Sequence, residues 1–352
     1  MVAAKKSLNY IRFDLIRQIF LANFFALALP YKVTFALTYR CNLRCKYCKT
    51  WARPEKDELS LDEIKSILNS LPGLRWLHFT GGEIFLREDI EEILNFSIDN
   101  KRLAVITFPT NGFFTDRILK IVKPLSEKLK GIKFILTCSI DGTKEIHDNL
   151  RGVDGIYDKC METFIKLRAI NNIKAYLGVT VSGDNYRGIP RLFCDLQKRI
   201  PNFAFNELHF NFIDYSFFYN NTLESSGESR SKEAYFFVDK LRKLYKNKGF
   251  KSFLENKYFK LIRSYLDNRK SPIKCSALNG SCFIDPYGDV YPCINYEERI
   301  GNIKPVSYNF IDFWRLSSGI KDRVRKIIEG KRCPGCWTPC EAYPSILHNL
   351  IR

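Results

Sequence analysis

The chain alternates short, β-rich apolar runs with amphipathic stretches of helical period. Residues 32–38 (KVTFALT), 75–80 (RWLHFT), 103–108 (LAVITF), 133–139 (KFILTCS), 175–181 (AYLGVTV) and 206–212 (NELHFNF) have the β-branched and aromatic content of strands. Helical patterns lie between them at 60–71, 87–100, 115–130, 155–171 and 187–199. Strand–helix alternation of this kind predicts an α/β fold, a partial (β/α)6 TIM-like barrel with crossover helices. Ahead of it, residues 8–29 read as an amphipathic helix stopped by Pro30, with Ile11, Leu15 and Ile19 on one face and Arg12, Arg17 and Gln18 elsewhere. Beyond it, 214–232 reads as a loop and 233–270 as a Lys- and aromatic-rich helical region. The texture changes at Ser271-Pro272, and residues 272–345 are short, turn-rich and Cys-rich, with a hairpin signal at Asp285-Pro286-Tyr287-Gly288-Asp289. The predicted units are a helix at 1–31, a barrel at 32–232, a helical linker at 233–271 and a cysteine-rich unit at 272–352.

Composition sharpens this picture. With 352 residues, 45% of them apolar, the chain can bury a large core, which excludes disorder over most of its length. The net charge is +18, and residues 1–54 hold ten Lys or Arg against one Asp. Such a basic region suits nucleic acid, anionic lipid head groups or an acidic substrate, and equally a solvated surface. Residues 19–31 are apolar but shorter than the roughly 20 residues of a bilayer span. Lys5 and Lys6 before them and Ala26-Leu27-Ala28 near their end imitate a signal peptide, but the run leads straight into the first strand.

The chemistry is concentrated in cysteine. Nine of twelve cysteines fall into two tight groups with metal-ligand spacing, which points to a reducing, cytoplasmic setting rather than disulfides. The first group is Cys41-x3-Cys45-x2-Cys48, directly after the first strand. Three thiolates on one loop can hold three irons of a 4Fe–4S cube and leave the fourth open to a ligand. A zinc site would want a fourth ligand, and no His or further Cys is nearby. Arg44, Lys46 and Lys49 make the loop polar and would ease the charge of a reduced cluster, or simply face solvent.

With Tyr47 before the third cysteine, this loop resembles the radical S-adenosylmethionine (SAM) superfamily. The resemblance implies that SAM chelates the open iron and is cleaved reductively to a 5′-deoxyadenosyl radical, which takes hydrogen from an unactivated carbon. Thr80-Gly81-Gly82-Glu83 ends the second strand and is similar to the family's SAM amino-group site, with Ile84 where a Pro is usual. Its glycines would let backbone approach a ligand closely. Asn111, in the Thr110-Asn111-Gly112 turn after the third strand, sits where ligands gather in such sheets. The run SIDGTKEIHDNLRG after the fourth strand implies that Ser139 and Arg151 reach the SAM ribose and carboxylate. Strand alternation turns Thr137 and Ser139 to one face and Cys138 to the other. Cys138, Cys160 and Cys194 read as core residues. Of the four histidines, His78 and His209 lie on strands and either face the lumen or are satisfied in the core; none suggests acyl-transfer chemistry.

The second group, Cys275, Cys282, Cys293, Cys333, Cys336 and Cys340, resembles the SPASM and twitch domains that bind auxiliary 4Fe–4S clusters. The hairpin Gly288 four residues ahead of Cys293 and the later Cys333-x2-Cys336 occur in the family's order. The match is partial, because the Cys-x5-Cys step of a full SPASM domain is missing. Six thiolates cannot fully ligate two cubes, so one auxiliary cluster is the simplest count. Cys275 and Cys293 would be completed either by Cys333 with Cys336 or by Cys282 with Cys340; a structural zinc site is the alternative.

Three readings of the function are weighed. A membrane-lipid tail suits the amphipathic helix, the basic first 54 residues and radical attack on unactivated carbon, and implies peripheral contact with the inner membrane face. A peptide or protein, crosslinked or oxidised, suits the commonest role of SPASM relatives, although only about 30 residues precede the barrel. A non-enzymatic binding module, such as a nucleic-acid-binding protein with structural clusters, is permitted by the charge but disfavoured by the open-site cysteine loop followed by Gly81-Gly82-Glu83. An external electron donor of ferredoxin or flavodoxin type is implied in both enzymatic readings.

Overall fold

The computed structural model describes residues 8–25, 27–99, 102–129, 131–222, 233–237, 239–240, 249–330, 332–333 and 335–350. Six parallel strands run in sequence order: β1 (Lys32–Thr38), β2 (Trp76–Gly81), β3 (Val105–Thr110), β4 (Lys133–Ser139), β5 (Ile173–Val181) and β6 (Leu208–Phe212). Helices α2 (Leu61–Asn69), α3 (Ile90–Asp99), α4 (Thr115–Lys128), α5 (Lys144–Arg151), α6 (Ile156–Arg168) and α7 (Ile189–Arg199) connect them. The sheet is one nine-stranded surface, β6-β5-β4-β3-β2-β1-β7-β8-β9, with both edges open, so the barrel is partial. β7 (Ser281–Ile284) adds parallel to β1, and β8 (Asp289–Tyr291) and β9 (Gly301–Asn302) follow antiparallel. The cysteine-rich segment therefore extends the barrel sheet at its β1 edge.

Strand alternation sorts the two faces. Val33, Phe35, Leu37, Phe79, Phe108, Leu136 and Leu177 join the buried core under the helices. The intervening positions, among them Lys32, Thr34, His78, Thr107, Tyr176 and His209, point to the inner face. Helix starts follow local chemistry. Ser60 caps α2, its hydroxyl accepting from Glu63 N (3.4 Å) while the Glu63 carboxylate accepts from Ser60 N (2.8 Å).

Two further helices cover the inner face. On α8 (Gly249–Asn268), Lys251 lies 3.8 Å from the Tyr176 ring centroid. On α11 (Pro339–His348), the Tyr343 hydroxyl and His209 Nδ1 are 3.1 Å apart. Lys32, buried, donates to Thr34 Oγ1 (3.3 Å) and to the Cys340 carbonyl, with Glu341 3.9 Å away. Two more helices, α9 (Phe310–Leu316) and α10 (Ser318–Glu329), complete a C-terminal region expected to be mainly turns.

Three expectations are corrected. The N-terminal helix α1 is Leu8–Ala22 and stops before Pro30. Asn23 Nδ2 donates to the Ile19 and Phe20 carbonyls, and Leu27 and Tyr31 then pair with the Asn279 and Gly280 carbonyls. Cys194 is exposed on α7, whereas Cys138 and Cys160 are buried. α5 was not expected as a helix. Residues 223–232 of the expected loop, and 241–248 of the helical region after it, lie outside the described residues.

Candidate active site

The cysteine loop leaves the C-terminal end of β1 and is clamped from two sides. From β2, Gly82 N donates to Thr38 O (2.8 Å) and Glu83 N to Arg40 O (2.9 Å). From α5, the Leu150 and Arg151 carbonyls accept from Lys46 N (2.9 Å) and Arg44 N (3.1 Å). The clamp explains the glycines. A Cβ at Gly81 would lie 2.2 Å from Thr38 O, at Gly82 2.1 Å from Arg40 O, and at Gly152 2.6 Å from Arg44 O. Gly81 and Gly82 make room for the loop backbone, not first for a ligand.

Cys41, Cys45 and Cys48 cluster with Leu43, Val153 and Ile156, an apolar cup beside the polar loop surface. Burial pushes the Cys41 thiol up to about 12, with Cys45 and Cys48 adding to it, so a bound metal must displace the proton. Arg151 Nη1 lies 3.9 Å from Cys45 Sγ, and its Nε donates to Asp141 (2.7 Å), a fully buried carboxylate. The other Asp141 oxygen accepts from Thr180 N (2.9 Å), so one Asp fixes Arg151 and the end of β5 together. Ser182 Oγ donates to the Tyr47 hydroxyl (3.1 Å), and Asn185 ties the Asp141 and Thr180 carbonyls. Asp141 was legible only as part of the Ser139-Ile140-Asp141-Gly142 run, and Asn185 carried no sequence signal.

Glu83 is buried, and its carboxylate accepts from Thr110 Oγ1 (3.1 Å), Asn111 N (2.7 Å) and Phe85 N (3.2 Å). Burial raises it to about 7, against these donors. It thus joins the ends of β2 and β3. Asn111 in turn donates to Asn42 Oδ1 (2.8 Å), whose own Nδ2 is buried without a partner beside Cys41. Asn42 escaped the sequence reading. Ser139 ends β4, half-buried on the inner face. Tyr47, Gly81, Gly82, Glu83, Asn111, Ser139 and Arg151 therefore all meet at one end of the sheet, around the cysteine loop. An orphaned donor, a three-thiol cup and an arginine over one thiol fit an iron–sulfur cluster with a polar ligand.

Four of the second cysteines gather at another place. Cys275, Cys293, Cys333 and Cys336 line one cavity of about 410 Å³, together with Tyr296 and Asn295. That is many times the roughly 30 Å³ of a water molecule, more than a single ion requires. Cys282 and Cys340 do not line it. Cys282 is a buried β7 residue in register with Val33. Cys340 Sγ lies on the inner face, 3.8 Å from His78 Nε2. Of the two pairs that could complete the set, Cys333 with Cys336 lines this cavity and Cys282 with Cys340 does not. His78 also bonds Thr107 Oγ1 (2.7 Å), and His209 bonds Glu255 (2.9 Å). Both histidines face the lumen and are satisfied there.

A partial parallel barrel with a three-thiol loop at its C-terminal end and a four-thiol cavity beyond it is the arrangement that the SAM-dependent radical class of iron–sulfur proteins leads one to expect. Comparison with known proteins agrees. The radical SAM superfamily profile matches residues 35–193, and an iron–sulfur cluster-binding (SPASM) domain matches 275–337. The chain is 33% identical over 186 residues to the Fe-coproporphyrin III synthase of Methanosarcina barkeri, covering 50% of this chain and 43% of that protein. It is 27% identical to the subtilosin biosynthesis protein AlbA of Bacillus subtilis, over 80% of this chain and 59% of AlbA. It thus spans about half the length of these two relatives. In fold it is similar to Streptococcus suis SuiB bound to the precursor peptide SuiA, with a TM-score of 0.57, 17% identity, and 88% of this chain and 70% of SuiB covered. Residues 35–193 are thus a radical SAM superfamily domain and residues 275–337 a SPASM domain. The chain's cofactors are a 4Fe–4S cluster on the Cys41, Cys45 and Cys48 loop, SAM, and at least one auxiliary 4Fe–4S cluster.

Proposed function

We propose that this protein is a peptide- or protein-modifying radical SAM enzyme, forming a crosslink or an oxidised residue. The observation that carries the reading is the polar inner face of the sheet. Lys32, Thr34, His78, Thr107, Tyr176 and His209 line it, and Trp76 Nε1 and Asn211 Oδ1 on the same face are buried without partners. A peptide supplies amide donors and acceptors to such groups, whereas a hydrocarbon tail would leave them unpaired at a cost of about 1–3 kcal/mol each. The lipid tail expected from the sequence is given up for that reason. A tetrapyrrole, suggested by the synthase relative, would bring carboxylates; Lys32 on this face is already taken by Glu341 and the Cys340 carbonyl. AlbA, a bacteriocin biosynthesis protein, lends the peptide reading support.

In this reading Cys41, Cys45 and Cys48 hold the first cluster, and Asn42, Asn111, Ser139, Tyr47 and Arg151 surround SAM. Glu83 positions the Thr110–Asn111 turn and is available to the SAM ammonium. When bound, cluster and SAM supply a hydrogen-abstracting radical. The apolar cup of Leu43, Val153 and Ile156 excludes water behind the thiols, and Asp141 keeps Arg151 charged and aimed. Cys275, Cys293, Cys333 and Cys336 hold the auxiliary cluster. Arg40, Arg44 and Lys46 stand exposed around the loop, a surface suited to an acidic ferredoxin or flavodoxin. The test is anaerobic incubation of reconstituted protein with SAM, reductant and short peptides encoded beside its gene. A peptide that gains a mass change together with 5′-deoxyadenosine supports the reading. Modification of a lipid or tetrapyrrole instead, with peptides untouched, overturns it.

A further inference from the structure

We propose that α1 and the start of α8 form a docking face for an anionic phospholipid surface. This stands apart from the substrate reading and concerns where the enzyme sits. α1 is apolar on two sides. Its inner side is fixed to the body: Ile11 and Ala22 are buried, Asp14 pairs with Arg75 (2.6 Å), and Gln18 donates to Gly73 O (3.1 Å). Its outer side carries Phe13, Ile16 and Phe20 at i, i+3 and i+7, continued by Phe24 and Phe25 in the turn that follows. These five are between 43% and 66% exposed. They are contiguous, the Phe20 and Phe24 ring centroids being 5.3 Å apart and those of Phe24 and Phe25 6.3 Å.

The patch continues onto a second helix. Arg12 Nη2 donates to Gly131 O (2.8 Å), and two residues on, Lys133 Nζ lies 6.0 Å from the Phe250 ring. Phe250 and Phe253, both exposed, stack with centroids 6.4 Å apart. Seven large apolar side chains thus share one end of the molecule, more than scattered exposure explains. Charge decides the partner. Arg12 and Arg17 flank the Phe13–Ile16–Phe20 row on the helical wheel, Lys5 and Lys6 precede it in sequence, and the acid of α1, Asp14, is buried against Arg75. An apolar row edged by cations fits an interface of acyl chains beneath anionic head groups. Among the described residues no helix is long and apolar enough to cross a membrane, so contact would be peripheral.

The test uses the full chain, reconstituted anaerobically, sedimented with phosphatidylcholine vesicles with and without phosphatidylglycerol. Wild type should bind the anionic vesicles and weaken as salt rises. The triple variant Phe13→Ser/Ile16→Ser/Phe20→Ser should lose at least tenfold in partition with its iron content unchanged, and Phe250→Ser/Phe253→Ser should lose severalfold. Arg12→Gln should cost about fivefold, at low salt only. The proposal is overturned if wild type does not sediment above the vesicle-free control, or if both sets of Ser variants bind like wild type. It is equally overturned if the triple variant dissolves a dimer of this chain, for then the face belongs to a second copy.

Discussion

Gly82 gives the sharpest test of how the cysteine loop is held. A Cβ there would lie 2.1 Å from Arg40 O, 2.7 Å from the Arg40 carbonyl carbon and 2.9 Å from Tyr39 O. All three are backbone atoms, so no side chain can swing away. The loop must retreat by about an ångström, a small-to-large change costing about 1–3 kcal/mol. The retreat also stretches the bonds from Gly82 N and Glu83 N, each worth about 1 kcal/mol. Gly82→Ala should therefore lose about 3 kcal/mol and about 5 °C in melting temperature. Gly155→Ala is the control. It has φ +78° but nothing within 4 Å of its Cβ, so it should lose only about 1–2 kcal/mol of backbone strain. The two differ in chemistry. A misplacement of an ångström at reacting groups costs about 100-fold in rate. SAM cleavage, read as 5′-deoxyadenosine by chromatography, should fall about that far in Gly82→Ala and stay at the wild-type level in Gly155→Ala. If the two variants cleave SAM at rates within about twofold of each other, the clamp does not set the loop geometry.

Iron content separates the second cysteines: Cys336→Ala should lose about four irons per chain, the content of one cubane cluster, while Cys282→Ala should keep them. Retention of iron by Cys336→Ala, or its loss from Cys282→Ala, would reassign the auxiliary site. Asp14 pairs with Arg75 and also accepts from Gln18 (2.9 Å) and Arg17 (3.3 Å), so Arg75→Ala, which removes one charged partner of several, should destabilise by about 1.5–3 kcal/mol in a chemical denaturation series. Burial raises the Asp14 carboxyl, but Gln18 and Arg75 outweigh it and hold it below its ordinary 3.8. The stability it gives is thus present above pH 4 and lost as the pH falls through the lowered value, so Asp14→Asn should remove part of the acid limb of the stability–pH curve. Arg151→Lys keeps the charge but loses the fork that spans Asp141 and Cys45, and should weaken SAM binding in equilibrium dialysis about tenfold with iron unchanged.

Much of the barrel was legible because its strands alternate cleanly. All six expected runs start within two residues of the observed strands, and β1 and β4 match at both ends. The three-cysteine loop was legible because its ligands are local in sequence. What escaped was set by distant contacts. α1 ends at Ala22 because Asn23 turns back on it and residues 27–32 pair with Asn279 and Gly280, a contact between segments some 250 residues apart. The six C-terminal cysteines have a spacing that allows two sets of four. Only the pairing of β7 with β1 buries Cys282 in the sheet, and only the start of α11 at Pro339 turns Cys340 inward. The glycines of Thr80-Gly81-Gly82-Glu83 look the same in sequence whether they admit a ligand or another stretch of backbone. The outer face of α1 was hidden by its inner one, since an apolar residue in a helix does not announce which side it serves.

The inner face explains why two cysteine sets so far apart in sequence share one sheet. β1 bonds β2 on one edge and β7 on the other, so the three-cysteine loop and the segment carrying Cys275 and Cys293 grow from neighbouring strands. Lys32 at the start of β1 is buried and charged, and its partners Glu341 and the Cys340 carbonyl both lie on α11. Withdrawing α11 would strand that charge, which costs several kcal/mol. α11 therefore forms a fixed floor under the lumen, opposite the cysteine loop. The segment after β6 ties the two sets together: the Tyr219 carbonyl accepts from Lys49 N (2.8 Å), next to Cys48 in sequence, and the Asp214 carboxylate accepts from Asn295, which lines the four-thiol cavity. Under the proposed reading, a peptide held against His78, Trp76 and Asn211 would have the two cysteine sets as its electron acceptors. That arrangement suits a net oxidation better than SAM cleavage alone, because the product radical need not wait for an external acceptor.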